Sequence, residues 1–306
     1  MEEFILDEES LNKISEYCIA SKYSYKTWVN YMHSLKYIAK KHGKINQKIA
    51  LDWIKKFKNP NKIAIISLIN NYCIFNDIDF FIKRMKIRRD PRKIPDVLTF
   101  EEVKRFIENI PKEYSLIFKC IFNIGAGLRI SDAVKMRFGN INWSQWIENR
   151  NDQGIIILRK SKRNKDHVYN IPQPLMEELY KYAEENKLID EFGFPEDVLI
   201  FNFGIEKFKP KLRIEDKERW IVEYIQHSAD LLRYNVLSKY SEKILGKKIR
   251  LHQLRHSRSS YLYNEEGKTI EEIKELRGDE NISTTMIYVH IGKKKLIDGM
   301  KNVKSV

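Results

Sequence analysis

The chain has 306 residues, of which 42% are apolar, and its 56 lysines and arginines outnumber 42 aspartates and glutamates to give a formal net charge of +14. This length allows a substantial core and fits one large or two modest domains, of which we expect two. The excess positive charge favours a polyanionic partner, and an equal alternative at this point is a basic surface that only keeps the protein soluble.

The N-terminus and the cysteines indicate the cellular compartment of the protein. The first nine residues, M-E-E-F-I-L-D-E-E, are acidic where a secretory signal would be basic, and no apolar run approaches the roughly 18–20 residues that span a bilayer. The three cysteines are far apart and lack the C-x-x-C spacing of zinc sites, so we expect reduced, buried thiols. These features predict a cytoplasmic protein without a membrane segment, a disulfide framework or a metal site.

Residues 1–85 are predicted to form a small all-helical domain. Apolar residues recur at helical spacing in segments 24–43, 47–57 and 62–75. Ser24 is suited to cap the first helix and Gly43 to end it, and the Asn59-Pro60 pair separates the second helix from the third.

A basic segment follows, in which seven cations accompany one acid and two prolines prevent a continuous helix. We predict that residues 86–97 form a linker between two domains. A charge run is usually only solvated, but a basic strap between domains can also cross a nucleic-acid backbone, which is the interpretation we favour. The candidate DNA contacts of this strap are Lys83, Arg84, Lys86, Arg88, Arg89, Arg92 and Lys93.

The second domain, 98–306, is predicted to combine helices with one β-hairpin, which makes the fold class mainly α with a small sheet (α+β). Thr99 and Glu102 have the spacing of a capping box, and segments 114–124, 174–186 and 220–245 have helical patterns. Between residues 154 and 171 the period changes to two around a polar, basic turn, which predicts a hairpin. The lysines at or near its tip are Lys160, Lys162 and Lys165.

Three cationic or titratable side chains are suited to binding phosphate. Arg129 follows a glycine-bearing turn at a helix start, where backbone N–H groups and the helix dipole favour an anion. An ion pair with Asp132 is the alternative, and both can hold. His252 and Arg255 lie three residues apart, a spacing that places them on one face of a helix.

Tyr288 is the candidate nucleophile, at the end of a hydroxyl-rich run in which Ser283 is expected to cap a short helix. Attack by a hydroxyl on a DNA phosphodiester builds negative charge on the non-bridging oxygens, which the planar fork of arginine stabilises. Ionising a tyrosine of pKa about 10 at pH 7 costs about 4 kcal/mol, so a base or nearby cations must offset that cost. The leaving oxygen needs a proton, which a lysine of lowered pKa can supply.

These segments resemble the motifs of tyrosine recombinases of the phage-integrase and Xer type. G-A-G-L-R-I-S-D-A-V (125–134) resembles the first arginine box, H-Q-L-R-H-S (252–257) the H-x-x-R box, and I-S-T-T-M-I-Y-V-H (282–290) the tyrosine box, in the family's order. The helical N-terminal segment and the P-x-x-L-T-x-E-E-V junction (95–103) are similar too, so the likeness spans nearly the whole chain.

The resemblance implies a site-specific recombinase or integrase that cleaves and rejoins DNA through a 3′-phosphotyrosyl intermediate, with no metal, ATP or other cofactor. It makes Arg129 and Arg255 the phosphate clamp, His252 a proton acceptor or phosphate ligand and Tyr288 the nucleophile. Lys162, and after it Lys160, is the expected hairpin lysine.

The resemblance also implies the partners. It makes residues 1–85 a DNA-binding, core-binding domain and double-stranded DNA the substrate. It further implies a homotetramer on two DNA sites, with a dimer on each site and a monomer or dimer when the protein is free.

One position departs from the family's pattern. The segment L-R-G-D places Asp279 where relatives commonly have histidine or tryptophan, and a carboxylate beside a phosphate is repulsive unless it is protonated or paired. Pairing with Arg277, a neutral acid that donates a hydrogen bond, and rotation into solvent are the open possibilities. We expect the reaction to depend less on this position rather than to be lost, and an Asp279→His variant with no cleavage would contradict that.

Two other functions stay open on the sequence. A type IB topoisomerase would share the chemistry but act as a monomer, and the apolar face of the tail 289–306 favours a neighbouring subunit instead. A non-enzymatic DNA-binding homologue would have Asp279 as its first sign of decay. His256 is interpreted as a packing and hydrogen-bonding residue rather than a catalytic one.

Overall fold

The computed structural model describes residues 3–23, 25–57, 60–83, 95–150, 152–158, 166–189, 197–203 and 217–288. The chain divides into two compact units, 1–91 and 92–306. The described elements are mainly α-helices with two small antiparallel sheets, which confirms the predicted fold class. Within these ranges, none of the helices has the length and apolar character needed to cross a bilayer.

The first unit packs four helices around an apolar core. Asp7 caps the first helix by accepting a 2.8 Å hydrogen bond from the backbone N–H of Ser10, and Gly43, with φ +66°, follows the end of the second. The fourth helix begins at Pro60, two residues before the predicted start, because proline fits the first turn of a helix. The elements are β1 (Phe4–Ile5), α1 (Glu8–Ala20), α2 (Tyr25–His42), β2 (Lys44–Ile45), α3 (Gln47–Phe57) and α4 (Pro60–Phe75).

The second unit contains the hairpin and the remaining helices. Its elements are α5 (Phe100–Asn109), α6 (Lys112–Asn123), α7 (Ile130–Ala133), a 3₁₀ turn (Phe138–Asn140), α8 (Trp143–Glu148), β3 (Gly154–Leu158), β4 (His167–Ile171), α9 (Gln173–Glu185), α10 (Lys217–Leu231), a π-helical segment (Leu232–Leu237), α11 (Ser238–Leu245), α12 (Leu251–Asn264), α13 (Ile270–Arg277) and α14 (Ile282–Thr285).

Local signals in the second unit correspond well to the structure. The Thr99 hydroxyl accepts from the backbone N–H of Glu102 at 3.1 Å, and the Glu102 carboxylate accepts from that of Thr99 at 3.0 Å, which confirms the capping box. The strands β3 and β4 pair antiparallel, from Gly154 opposite Ile171 to Leu158 opposite His167. The hairpin is therefore confirmed, and its tip, 159–165, lies outside the described residues.

Two predictions about helices were wrong in detail. The helix predicted over 220–245 contains the π-helical segment Leu232–Leu237, which its apolar spacing did not indicate. Asn281, not Ser283, is the N-cap residue of α14, and Ser283 lies inside that helix. The three cysteines are free and buried, as expected.

Candidate active site

The loop before α7 brings the first arginine close to α12. Gly127 has φ +93°, and a Cβ atom there would lie 3.0 Å from the Cα of Arg255, so only glycine allows the loop to pass this close to the helix. Arg129 then occupies the N-cap position of α7. The glycine of the arginine box thus determines the distance between the two arginines of the predicted clamp.

The two arginines meet at one carboxylate. Nη2 of Arg129 lies 3.3 Å from Oδ1 of Asp279, and Nη2 of Arg255 lies 3.8 Å from the same oxygen. Arg129 also makes the alternative contact expected from the sequence, with 3.6 Å between its Nη1 and Oδ2 of Asp132. The ion pair with Asp132 is therefore present, and phosphate binding by Arg129 stays a prediction.

Arg255 is fixed by the backbone around it. Its side chain is buried, its Nη1 donates to the carbonyl of Gly127, and its Nη2 donates to the carbonyl of Arg277 at 2.7 Å. Burial, and after it the positive charges of Arg277 and Arg129, lowers the pKa of Arg255 to about 9. The guanidinium group therefore stays charged at neutral pH.

Arg277 is the close partner of Asp279, so pairing is the possibility that the structure shows for this carboxylate. Nε of Arg277 lies 2.6 Å from Oδ2 of Asp279, and Nη1 of Arg277 donates to Oγ of Ser259 at 2.7 Å. Burial raises the pKa of Asp279, but the charge and hydrogen bond of Arg277, then the charges of Arg255 and Arg129, outweigh it and hold the pKa below its ordinary value. The carboxylate is ionised at neutral pH.

Tyr288 lies in a small hydrophobic cluster beside these charges. The side chain is fully buried, and the buried residues around it are Ala126, Leu262, Ile270 and Ile273. Its Oη lies 2.8 Å from Nδ1 of His256, and Cζ of Arg277 lies 5.2 Å from the centroid of its ring. Burial raises the pKa of the phenol, and the charge of Arg277 opposes this shift. The candidate nucleophile is thus beside the arginines but shielded from solvent.

Two histidines of α12 have different environments. His252 keeps its contact with solvent, while partial desolvation and then the charge of Arg255 lower its pKa. Burial, and next the charge of Arg277, lowers the pKa of His256 to about 4, so this ring is neutral at pH 7. His252 is therefore able to accept a proton at neutral pH, and His256 holds the hydroxyl of Tyr288.

The sequence-based prediction did not assign three residues of this cluster to the site. Arg277 was named only as a possible partner of Asp279, His256 was interpreted as a packing and hydrogen-bonding residue, and Ser259 was not considered. Ser259 donates to the carbonyl oxygens of Ala126 and Arg255 at 3.0 and 3.1 Å. One signal was available: residues 252, 255 and 259 have the i, i+3, i+7 spacing of one helix face.

Most of the basic residues predicted to contact DNA lie outside the described residues. Lys83 is exposed, and its backbone N–H donates to the side chain of Gln47 at 2.8 Å. Among the described residues, no group of three or more histidines, cysteines, aspartates and glutamates could hold a metal ion. Outside the described residues lie the tail 289–306, the predicted catalytic lysine Lys162 and the predicted contacts Arg84, Lys86, Arg88, Arg89, Arg92, Lys93, Lys160 and Lys165.

Comparison with known proteins identifies related sequences. The chain is 28% identical to Tyrosine recombinase XerA of Thermococcus kodakarensis over 253 residues, which cover 82% of this chain and 77% of that protein. It is also 28% identical to Tyrosine recombinase XerA of Pyrococcus furiosus over 240 residues, which cover 78% and 72% of the two chains.

Solved structures share the fold. A Tn1549 transposon integrase in complex with transposon right end DNA aligns with a TM-score of 0.58 at 12% identity, over 97% of this chain and 100% of that one. A lambda integrase dimer bound to a COC' core site aligns with a TM-score of 0.56 at 14% identity, over 92% and 94% of the two chains. These likenesses show a common architecture.

The family model described as "Phage integrase family" matches residues 96–295, and this range contains the arginine, H-x-x-R and tyrosine boxes. The chain therefore belongs to the phage integrase family, as a Xer-like tyrosine recombinase, which makes it a site-specific DNA recombinase.

Proposed function

We propose that the enzyme cuts one strand of duplex DNA by attack of the Tyr288 phenol on a phosphodiester bound by Arg129 and Arg255. The attack forms a bond between the phenolic oxygen and phosphorus, and it releases the 5′-oxygen of the DNA. The product is a 3′-phosphotyrosyl link. This link keeps the energy of the phosphodiester, so a 5′-hydroxyl of a second DNA can reverse the reaction without ATP.

The observation that carries the proposal is the convergence of two guanidinium groups on one anionic oxygen. Arg129 and Arg255 lie 3.3 and 3.8 Å from Oδ1 of Asp279, although they are 126 positions apart in the chain. A non-bridging phosphate oxygen has the same charge and accepts the same hydrogen bonds. Preorganised cations around phosphorus stabilise the charge that develops there during attack.

The phenol has to leave its hydrophobic cluster before it reacts. In the free protein its hydroxyl faces the neutral ring of His256, and burial raises its pKa. Movement towards a phosphate held by two arginines would expose the phenol to positive charge, which favours the phenolate. DNA binding would therefore supply both the reason to move and the charge that activates the nucleophile.

Proton transfer requires two further groups. His252 has a lowered pKa and keeps solvent contact, so it is suited to accept a proton or to donate a hydrogen bond to the phosphate. A lysine of the hairpin, Lys162 first and Lys160 next, would protonate the leaving 5′-oxygen, with Lys165 as a DNA contact.

Double-stranded DNA is the proposed substrate. Structures of related proteins are described as a XerH recombinase bound to its difH substrate and a lambda integrase dimer bound to a core site. In this chain, residues 1–85 would form the core-binding domain, residues 86–97 a basic linker and residues 98–306 the catalytic domain. Binding should weaken steeply with salt, because contacts to phosphates release counterions.

We also propose that four protomers act on two DNA sites, with a dimer on each site. The tail 289–306 would dock on a neighbouring subunit, and the free protein would be a monomer or dimer. Topoisomerase activity is not favoured, since the named relatives are recombinases.

Covalent capture tests the chemistry. Duplexes that bind the protein are first selected from random sequence, then nicked next to the cleavage position so that the released strand end diffuses away. We expect a covalent protein–DNA band on a denaturing gel, absent from Tyr288→Phe and present in Tyr263→Phe, which changes a partly buried tyrosine of the same hydrophobic cluster. Specific binding without a Tyr288-dependent band would mean a non-enzymatic DNA-binding protein instead.

A further inference from the structure

The carboxylate of Asp279 divides its two oxygens between different arginines. Oδ2 makes a close contact of 2.6 Å with Nε of Arg277, whereas Oδ1 lies at the longer distances of 3.3 and 3.8 Å from Arg129 and Arg255. The contact with Arg277 is therefore the strong one, because charge-assisted hydrogen bonds have N–O distances of about 2.7–2.9 Å. Asp279 can lose both clamp arginines and still keep its best partner.

Arg277 is held in place by contacts with several neighbouring groups. Its side chain is 5% exposed, its Nη1 donates to Ser259 at 2.7 Å, and its carbonyl oxygen accepts from Nη2 of Arg255 at 2.7 Å. Its guanidinium group also lies over the ring of Tyr288. One residue thus contacts the carboxylate, one clamp arginine and the candidate nucleophile.

The charges explain why a carboxylate is tolerated at a phosphate site. An isolated Asp279 would repel a phosphate and compete with it for Arg129 and Arg255. Arg277 and Asp279 together have no net charge, so an arriving phosphate meets the two positive charges of the clamp. In the free protein the carboxylate separates the buried guanidinium group of Arg255 from the partly buried one of Arg129, which would otherwise repel each other.

We propose that Arg277 is a positioning residue for the recombination reaction: it retains Asp279 as a replaceable anion, which occupies the Arg129–Arg255 clamp until a DNA phosphate displaces it. The inference rests on the proposed function of Arg129 and Arg255. When DNA binds, Oδ1 gives up the clamp to the phosphate and Oδ2 stays on Arg277. Removing Arg277 would leave the carboxylate with the clamp as its only partner and so block the site.

A double-variant cycle tests this order of events. Arg277→Met keeps the length of the side chain and leaves Asp279 paired with two arginines, so its single-turnover rate of covalent capture should fall about 10–100-fold, the usual effect of one charged hydrogen bond. Adding Asp279→Asn to Arg277→Met should restore most of that rate, because the blocking charge is gone. A purely structural role predicts the opposite, a double variant no faster than Arg277→Met.

A second measurement does not depend on the folding of Arg277→Met. Inorganic phosphate competes with DNA for the clamp, and Asp279→Asn removes the internal competitor of both. At DNA concentrations well below saturation, half-inhibition of capture should therefore need about 3–10-fold less phosphate than in the unchanged protein. Glu275→Gln removes an exposed carboxylate of the same helix and serves as the matched control. Equal phosphate sensitivity of Asp279→Asn and Glu275→Gln would overturn the inference.

The outcomes separate the inference from the function on which it rests. No Tyr288-dependent capture by the unchanged protein would overturn the proposed function itself. Capture by the unchanged protein, together with a double variant no faster than Arg277→Met, would overturn only the role of Arg277.

Discussion

The two units of this protein bury different kinds of residue. In the described part of the first unit, Asn70 is the one polar or charged residue of the core, and its amide satisfies the backbone N–H and carbonyl of Ile82 at 2.9 Å each. The second unit buries two arginines, an aspartate and several hydroxyl groups. Arg255, Arg277 and Asp132 are among them, and all three are within or next to the candidate site.

The difference shows which unit has been shaped by packing and which by chemistry. An apolar core gains free energy from nearly every buried side chain. A buried charge costs free energy unless it is paired, and replacing a buried ion pair by apolar residues is often neutral or stabilising. The buried charges of the second unit therefore fit the proposed reaction better than they fit a role in stability.

The largest expected effect is on the rate of covalent capture, when the buried Arg255 is replaced by another cationic residue. Arg255→Lys keeps the positive charge but loses the planar guanidinium group. That group donates to the Gly127 and Arg277 carbonyls and forms one side of the clamp. We expect the single-turnover rate of covalent capture to fall about 10²–10³-fold, as when one preorganised donor is lost from an active site. Arg105→Lys, on the exposed face of α5, is the matched control. Unchanged capture by Arg255→Lys would mean that the clamp needs only charge, which would weaken the contrast between the units.

In the first unit the large effect should be on stability. Leu35 is fully buried in the apolar core, and Leu35→Ala should lower the free energy of unfolding by about 3 kcal/mol through lost burial and the cavity that remains. Chemical denaturation monitored by circular dichroism measures this value. Well below the melting temperature and at saturating DNA, the capture rate should change far less than in Arg255→Lys. A folded Leu35→Ala protein that binds DNA without capture would show that the first unit takes part in the chemistry.

Local sequence signals were sufficient for most elements of the fold. The Thr99–Glu102 capping box and the period-two segments of the hairpin act through neighbours in the chain, so a pattern reveals them. The π-helical segment Leu232–Leu237 was missed because it continues the apolar spacing of the helices on either side. A π-helical turn contains one more residue than an α-helical turn, and whether it forms depends on packing with other elements.

The candidate site was predictable only as a set of motifs. The boxes named Arg129, Arg255 and Tyr288, but the roles of Arg277, Ser259 and His256 depend on how α12 and α13 approach each other in space. The close approach of His167 to Gly278 illustrates the same limit. A Cβ atom added at Gly278 would lie 2.5 Å from the His167 ring, and no sequence spacing connects these two positions. Burial of Tyr288 was not indicated either, because the sequence places this residue only at the end of a hydroxyl-rich run.

The smallest expected effect is on the pH dependence of stability, to which the partly buried His256 of the second unit contributes. Its pKa of about 4 lies below the ordinary value of 6.5, so the unfolded chain binds a proton more readily than the folded protein. The contribution of neutral His256 to stability is therefore complete above about pH 6.5 and is lost progressively as the pH falls towards 4. After a reduction for partial solvent contact, we expect a loss of about 1 kcal/mol between pH 7 and pH 5.

His256→Gln isolates this contribution. The amide oxygen of glutamine can accept the hydrogen bond of the Tyr288 hydroxyl, but the side chain does not titrate. Melting temperatures measured at pH 7 and pH 5 should differ less in His256→Gln than in the unchanged protein. His227→Gln, on α10, should keep the original difference because it leaves the contact between His256 and Tyr288 in place. If His256→Gln lost as much stability as the unchanged protein, the neutral ring would not be what holds Tyr288 in its buried position. The release of the phenol would then have to depend on the charges of Arg277 and Asp279 alone.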